Sequence, residues 1–441
     1  MKLFRTLPLI AAMSMAFAGT AHAQSLVELF DAAREFDAPF KSVQLQAEAT
    51  KRKVEQAQAK LGPSVNLNLS ANANSLDTNT LPVLNYGAQT ATLAGSQPLY
   101  RPADSAEVSQ ANLQLKLADE QLRAAEQDLM VRLSQAYFDV LASQDSLTFV
   151  QAQLKAVSEQ LAFAKRNFEV GTSTITDTRE AQASYDLVVA QEIAASNDVR
   201  VKKMALEQLV GKSGLSPKSV ALSAMPQAPQ PANVDEWVAL SEQQNASVKQ
   251  ARIGVDVAKL EIDKANAGLK PTVDLQLSYT AQTNIKGTAA LAMTKDYNLG
   301  LATGAVVLNW PLYTGNALSN RVRETISLAG KASADLDNAT RNIAQATRAA
   351  YFGVVSGVSQ VKALKAAEDS SQVALEANQL GYSVGVRINI NVLDAQSKLF
   401  DTKAKLAKAR YDVLVGHLKL RQLSGSLQLQ DLQDINGLLA P

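Results

Sequence analysis

Between Pro63 and Leu76 apolar and polar residues alternate one by one, with Val65, Leu67, Leu69, Ala71 and Ala73 on one side and Asn66, Asn68, Ser70, Asn72 and Asn74 on the other. A period of two predicts an extended strand with one apolar and one polar face. The pattern returns at Val273, Leu275, Leu277, Tyr279 and Ala281 against Asp274, Gln276, Ser278, Thr280 and Gln282. Both runs are long for strands. At about 3.3 Å per residue and a tilt near ~45°, such a strand crosses the ~25–30 Å apolar band of a membrane, although soluble strands with one wet face alternate in the same way. The segments that follow, Gly87 to Leu99 and Asn298 to Leu312, alternate less clearly and are expected to be return strands, with Tyr86, Tyr297 and Trp310 as candidate interfacial aromatics.

After each strand pair the period lengthens. No proline, glycine or polar cluster interrupts Pro102 to Phe168, and Leu147, Val150, Leu154, Val157, Leu161, Ala164 and Phe168 fall at alternating spacings of three and four, the seam of a coiled coil. Ala395, Leu399, Thr402, Leu406, Ala409, Val413, Gly416, Leu420 and Leu423 keep the same rhythm in the second half. Val170-Gly171-Thr172-Ser173 and Val384-Gly385-Val386-Arg387 are the stop signals, since glycine takes the left-handed conformation that ends a helix before the chain reverses. Two long helical hairpins are predicted.

The halves are copies of one program. Ala136-Tyr137-Phe138 recurs as Ala350-Tyr351-Phe352, and the same shift maps Val170-Gly171 onto Val384-Gly385 and Leu206, Gln208, Leu209 and Gly211 onto Leu420, Gln422, Leu423 and Gly425. Gln97-Pro98-Leu99-Tyr100 likewise answers Trp310-Pro311-Leu312-Tyr313. The expected division is a first repeat over 24–216 (helix, strands 63–99, helical hairpin 102–211) and a Pro-rich linker over 217–234. A second repeat follows over 235–428 (helix, strands 271–312, hairpin 315–424), then a tail over 429–441.

The N-terminus is an address. Lys2 and Arg5 precede an apolar run from Leu7 to Ala18, and Ala21-His22-Ala23 supplies the small-x-small cleavage pattern, so residues 1–23 read as a secretory signal peptide and the mature chain starts at Gln24. No later stretch offers 18 consecutive apolar residues. An exported chain without such a segment enters a membrane only as a β-barrel, the other fold that pairs every backbone group in lipid.

Composition removes most other chemistry. With 43 basic against 42 acidic residues there is no basic surface for nucleic acid, and with no cysteine there is no disulfide, thiolate metal site or cysteine nucleophile. His417 is the only mature histidine; it lacks an acidic or second imidazole partner at helical spacing, so packing is expected rather than metal binding. Gly211-Lys212-Ser213 resembles the end of a phosphate loop, but Leu206 stands where the first glycine belongs, and a helix end is expected. No catalytic residue, metal or cofactor is assigned.

The paired Pro-Leu-Tyr corners, the paired Ala-Tyr-Phe sites, the run Tyr382-Ser383-Val384-Gly385-Val386-Arg387-Ile388-Asn389-Ile390-Asn391-Val392-Leu393-Asp394-Ala395 and Ala409-Arg410-Tyr411 together resemble the TolC family of outer-membrane channels over nearly the whole mature chain. The resemblance implies an α+β membrane protein with two internal structural repeats. It further implies a homotrimer in which each protomer gives four strands to one 12-stranded outer-membrane β-barrel, continued by a periplasmic α-helical coiled-coil barrel. Physics agrees on one point: four strands cannot close a barrel with a lumen, for which about eight are needed. The implied function is a passive channel-tunnel for secreted proteins or small toxic compounds. Its implied partners are a periplasmic adaptor and an inner-membrane ABC or proton-driven transporter. The rival reading, a periplasmic coiled-coil adaptor, fits less well, because adaptors carry one hairpin flanked by compact β domains.

The same resemblance assigns sites residue by residue. Asp394 matches an aspartate of the acidic ring at the periplasmic aperture, and Asn391 stands where a second is usual. Arg387 and Tyr382 match latch donors, and Thr176 and Asp177 their acceptors. Val170, Gly171, Thr172, Val384, Gly385 and Val386 form the docking tips, and Val65, Leu67, Leu69, Val273, Leu275 and Leu277 face lipid. The alternative for the turn residues is ordinary capping and surface placement.

Overall fold

The computed structural model describes residues 24–79, 81–220, 227–286 and 295–439; the expected signal peptide over 1–23 and residues 221–226 of the expected linker lie outside the described residues. The chain opens with α1 (Leu26–Phe36) and α2 (Ala38–Ala59). Ser25 starts α1 with a reciprocal cap, its hydroxyl accepting the Glu28 N–H while the Glu28 carboxylate accepts the Ser25 N–H. The buried face of α1 is Leu26, Leu29, Phe30 and Ala33, the i, i+3, i+4, i+7 stripe.

Strands β1 (Ser64–Thr78), β2 (Leu81–Tyr100), β3 (Thr272–Ile285) and β4 (Tyr297–Asn309) form one antiparallel sheet in that order. Register carries the alternation across the sheet: Leu67 pairs with Leu93, Leu93 with Tyr279 and Tyr279 with Ala302. The adjacent row runs Asn68, Thr92, Thr280, and the Thr92 and Thr280 hydroxyls meet at 3.2 Å. In β4 the rule weakens, because Leu301 continues the polar row. Both β1 and β4 are edges, paired on one side only.

The helices are α3 (Pro102–Glu169), α4 (Ile175–Val210), α5 (Val234–Gln244), α6 (Ala246–Ala267), α7 (Ala317–Ser383), α8 (Asn389–Ser424) and α9 (Leu429–Asn436). Among the described residues no helix is long and apolar enough to cross a membrane. Packing sorts the elements into two compact units, each drawing on both halves of the chain: residues up to Val43 with Arg123–Ala246 and Arg341 onward, and Gln44–Leu122 with Ser247–Thr340.

In the first unit the two Ala-Tyr-Phe copies do the same job. The Tyr137 hydroxyl donates to the Lys218 carbonyl at 2.8 Å and the Tyr351 hydroxyl to the Ala232 carbonyl at 2.7 Å, so each copy holds one end of the segment between the repeats. They differ beyond the tyrosine, since Phe138 is buried and stacks on Tyr411 while Phe352 is exposed. Gly211 ends α4 with φ +72° under the Phe36 ring, so Gly211-Lys212-Ser213 is a helix end. His417 is half-buried with Nε2 2.9 Å from the Gln227 carbonyl, and burial lowers its pKa. The α8 seam is buried at Leu399, Thr402, Leu406, Ala409, Val413 and Leu420, whereas Phe168, expected in the α3 seam, is exposed one residue before that helix ends.

The second unit couples the sheet to its own helix segments. Val54 and Ala57 of α2 pack on Ala111 of α3. Glu107 accepts both Lys60 and Lys264, and Arg101 grips Asp274 through two hydrogen bonds at 2.9 and 3.0 Å, fixing the end of β2 to the start of β3.

Candidate functional site

Both hairpin turns in the first unit are built alike. Gly171 and Gly385 adopt φ of +80° and +81°. At the first turn the Gly171 and Thr172 N–H groups donate to the Phe168 and Asn167 carbonyls; at the second the Gly385 and Val386 N–H groups donate to Tyr382 and Gly381. Nothing lies within 4 Å of a Cβ built on either glycine, so backbone conformation, not space, demands glycine there. The tips are apolar and in water: Val170, Val384 and Val386 are 64–75% exposed, and Thr172 is exposed with them.

The helices restart differently. Thr174 and Asp177 cap α4 reciprocally, and the Thr174 hydroxyl also donates to Asp177 Oδ2 at 2.8 Å. At α8 the Ile388 N–H reaches Asn391 Oδ1 at 3.4 Å, so Asn391 turns its side chain to the helix start. Asp394, one turn later, is exposed.

Of the expected latch, the protomer brings Tyr382 beside Asp177. The Tyr382 ring meets Phe163 edge-on at 5.8 Å, and its hydroxyl oxygen is shielded from solvent next to Asp177 and Asn167 without a hydrogen bond of full geometry. Burial first, and the Asp177 charge second, raise its pKa. Arg387 and Thr176 are exposed, and neither side chain bonds to any described residue. The Arg387 stem instead lies over Gly381, where a Cβ would come within 2.7 Å of its Cγ.

The polar link that sequence reasoning passed over is Asn389. It is wholly buried; its Nδ2 donates to the Asp177 main-chain carbonyl at 3.1 Å and its Oδ1 accepts from Gln160 Nε2 at 2.6 Å. A signal existed: Asn389 and Gln396 stand one heptad apart with Leu393 between them, a seam that begins two turns before the one read from Ala395. Leu393 packs into the first hairpin with Val157, Leu161, Ala164, Ala181 and Val188, while Val392 and Leu399 face Leu375 of α7. α8 is therefore buried on two sides.

In the sheet, Val65, Leu67, Leu69 and Leu277 are 56–72% exposed, a density of large apolar side chains in water that calls for a covering phase. Val273 and Leu275 share that face and are half-buried. Among the described residues no group of acidic or imidazole side chains has the arrangement of a metal site.

A family model described as outer membrane efflux protein matches the chain twice, over residues 29–212 and 237–426, once in each half. The outer membrane protein TolC of Vibrio cholerae is 33% identical over 438 residues, covering 98% of both chains. The outer membrane protein TolC of Escherichia coli is 30% identical over 454 residues, covering 99% of this chain and 89% of that one. Among solved structures, CusC superposes with a TM-score of 0.79 at 16% identity, over 92% of this chain and 93% of the other, which shows the shared fold. Paired strands, twin helical hairpins and a duplicated sequence that matches the model in both halves make this chain a member of the outer membrane efflux protein family, an outer-membrane channel that reaches into the periplasm.

Proposed function

We propose that three copies of this chain assemble into one passive export conduit, gated where the two hairpins turn. The observation that carries this is the sheet: four strands, an exposed apolar face, and two unpaired edges. Edges of that length do not survive in lipid, where each unpaired backbone group costs several kcal/mol. Four strands are also too few to enclose a lumen, for which about eight are needed. Pairing β4 of one copy with β1 of the next removes every edge at once, and three copies give twelve strands.

At the other end, Asp394 and the capping Asn391 supply one carboxylate and one amide per protomer to the aperture. Arg387 reaches across to Thr176 and Asp177, with Tyr382 supporting Asp177 from within the protomer. The exposed valines of the tips dock a periplasmic adaptor and an inner-membrane ABC or proton-driven transporter. The chain catalyses nothing itself: the partner supplies the energy and opens the conduit by binding its open state better than its closed state. An isolated adaptor role is disfavoured by the duplicated hairpin with strands between its copies.

The test is fractionation followed by reconstitution. The mature protein is expected in outer membranes as a detergent-resistant trimer that conducts in planar bilayers; recovery as a soluble periplasmic monomer would refute the reading.

A further inference from the structure

At the start of α8 the usual burial order is inverted. Ile388 is 60% exposed while its polar neighbour Asn389 is 0% exposed. Burying an amide in place of an isoleucine is unfavourable unless both of its ends are bonded. Here they are, and the geometry fixes which end is which: a main-chain carbonyl only accepts, so Nδ2 faces Asp177 and Oδ1 faces the Gln160 donor. Gln160 belongs to α3 and Asp177 to α4, so one side chain of the second hairpin ties down both helices of the first.

The rest of that face mixes apolar packing with a second amide. Leu393 follows, and one heptad beyond Asn389 comes Gln396, 4% exposed with an Oε1 that has no hydrogen-bond partner among the described residues. The Leu393 cluster holds the hairpins together, but apolar contact is non-directional, so the directed bonds of the first amide set the position in which they meet. Every group in that bond set is uncharged: two side-chain amides and a peptide carbonyl.

We propose that Asn389 is a neutral clasp that positions the second hairpin against the first in the closed conduit, acting inside each protomer and through no charged side chain at the turns. The inference rests on the conduit reading above. A bond set without charges is not screened by salt, unlike a link between exposed ions, which is weakened once the Debye length shrinks to about 3 Å at ~1 M salt.

The experiment uses the full-length trimer in planar bilayers, comparing wild type with Asn389→Leu, Gln160→Leu and the double variant at low and high salt. Losing even a weak hydrogen bond in each of three protomers shifts a shared open-to-closed ratio by about tenfold or more. Each single variant is therefore expected to raise open-state occupancy at least about tenfold, by the same factor at both salt concentrations. The double variant should not exceed Asn389→Leu, because Gln160 acts only through Asn389. Gln160 is half-buried and accommodates leucine, so its variant decides the matter if Asn389→Leu does not assemble. Wild-type occupancy in intact Gln160→Leu and Asn389→Leu trimers would overturn the clasp alone, as would an increase that disappears at high salt. A wild-type trimer that never conducts would overturn the conduit reading and the clasp with it.

Discussion

Arg132 grips Asp37 through both carboxylate oxygens, Nη1 to Oδ1 at 3.1 Å and Nη2 to Oδ2 at 2.9 Å, while Asp37 also accepts the Phe40 N–H at the start of α2. The Asp37 side chain is 4% exposed, so this is a buried carboxylate held by a guanidinium whose Nε also pairs with Asp128 at 2.6 Å. Replacing Arg132 by leucine strands that charge and is expected to destabilise the protein by about 3 kcal/mol. A thermal melt followed by far-UV circular dichroism at neutral pH checks it; an unchanged midpoint would show that the pair contributes nothing.

The same pair sets an acid limit. Hydrogen bonding to Arg132 holds the Asp37 carboxyl below its usual value, outweighing burial, which raises it. The folded state thus binds the Asp37 proton less readily than the unfolded chain. Its contribution is fully present above the unfolded carboxylate pKa of about 3.9 and is lost as pH falls below that value through the depressed one. The melting midpoint should drop below about pH 4 in wild type and drop less steeply in Arg132→Leu.

The two faces of the sheet should answer differently to charge. Arginine at Leu67, Leu69 or Leu277 is expected to cost about 2–4 kcal/mol near the bilayer midplane, and arginine at Asn68 or Gln276 far less, because the other face is wet. Leu275 is half-buried on the apolar face and should be at least as intolerant. Equal loss of outer-membrane trimer from both faces would mean that the register places lipid wrongly.

Two positive-φ glycines separate strain from collision. A Cβ at Gly171 meets nothing within 4 Å, so Gly171→Ala should cost only the left-handed penalty of about 1 kcal/mol. At Gly425, with φ +73°, it would lie 2.3 Å from the Gln244 carbonyl oxygen, a main-chain atom that cannot swing away. Gly425→Ala is expected to cost about 2 kcal/mol more than Gly171→Ala, read as the difference in urea midpoints.

Arg387 and Asp394 are exposed on the second hairpin, and the proposed latch and acidic ring give each a direct test. Arg387→Ser with Tyr382→Phe is expected to raise single-channel conductance, the lost charged hydrogen bond of Arg387 in the proposed latch being worth about 1–3 kcal/mol. Asp394→Ala should weaken block by trivalent cations added from the periplasmic side, since Asn391 offers no charge to replace it. Wild-type block in Asp394→Ala would move the acidic ring elsewhere.

Strand and helix periods, the glycine stops and the duplication were legible in the sequence because each follows from local energetics: side chains on an extended chain alternate faces, and only glycine enters the left-handed region cheaply. The exposed alternation of β1 and the α8 seam from Leu399 onward follow from that alone. Only the tertiary structure decided which polar residues are bonded and to what. Asp37 and Arg132 are 95 residues apart, and Asn389 is 212 residues from the carbonyl that it meets. Asn389 and Ile388 look interchangeable or even reversed in a hydropathy pattern. Whether an amide is buried at a profit or a loss depends on donors and acceptors delivered by distant elements, which no local period encodes. The same holds for the second buried side of α8, created by the first hairpin rather than by any repeat within the helix itself.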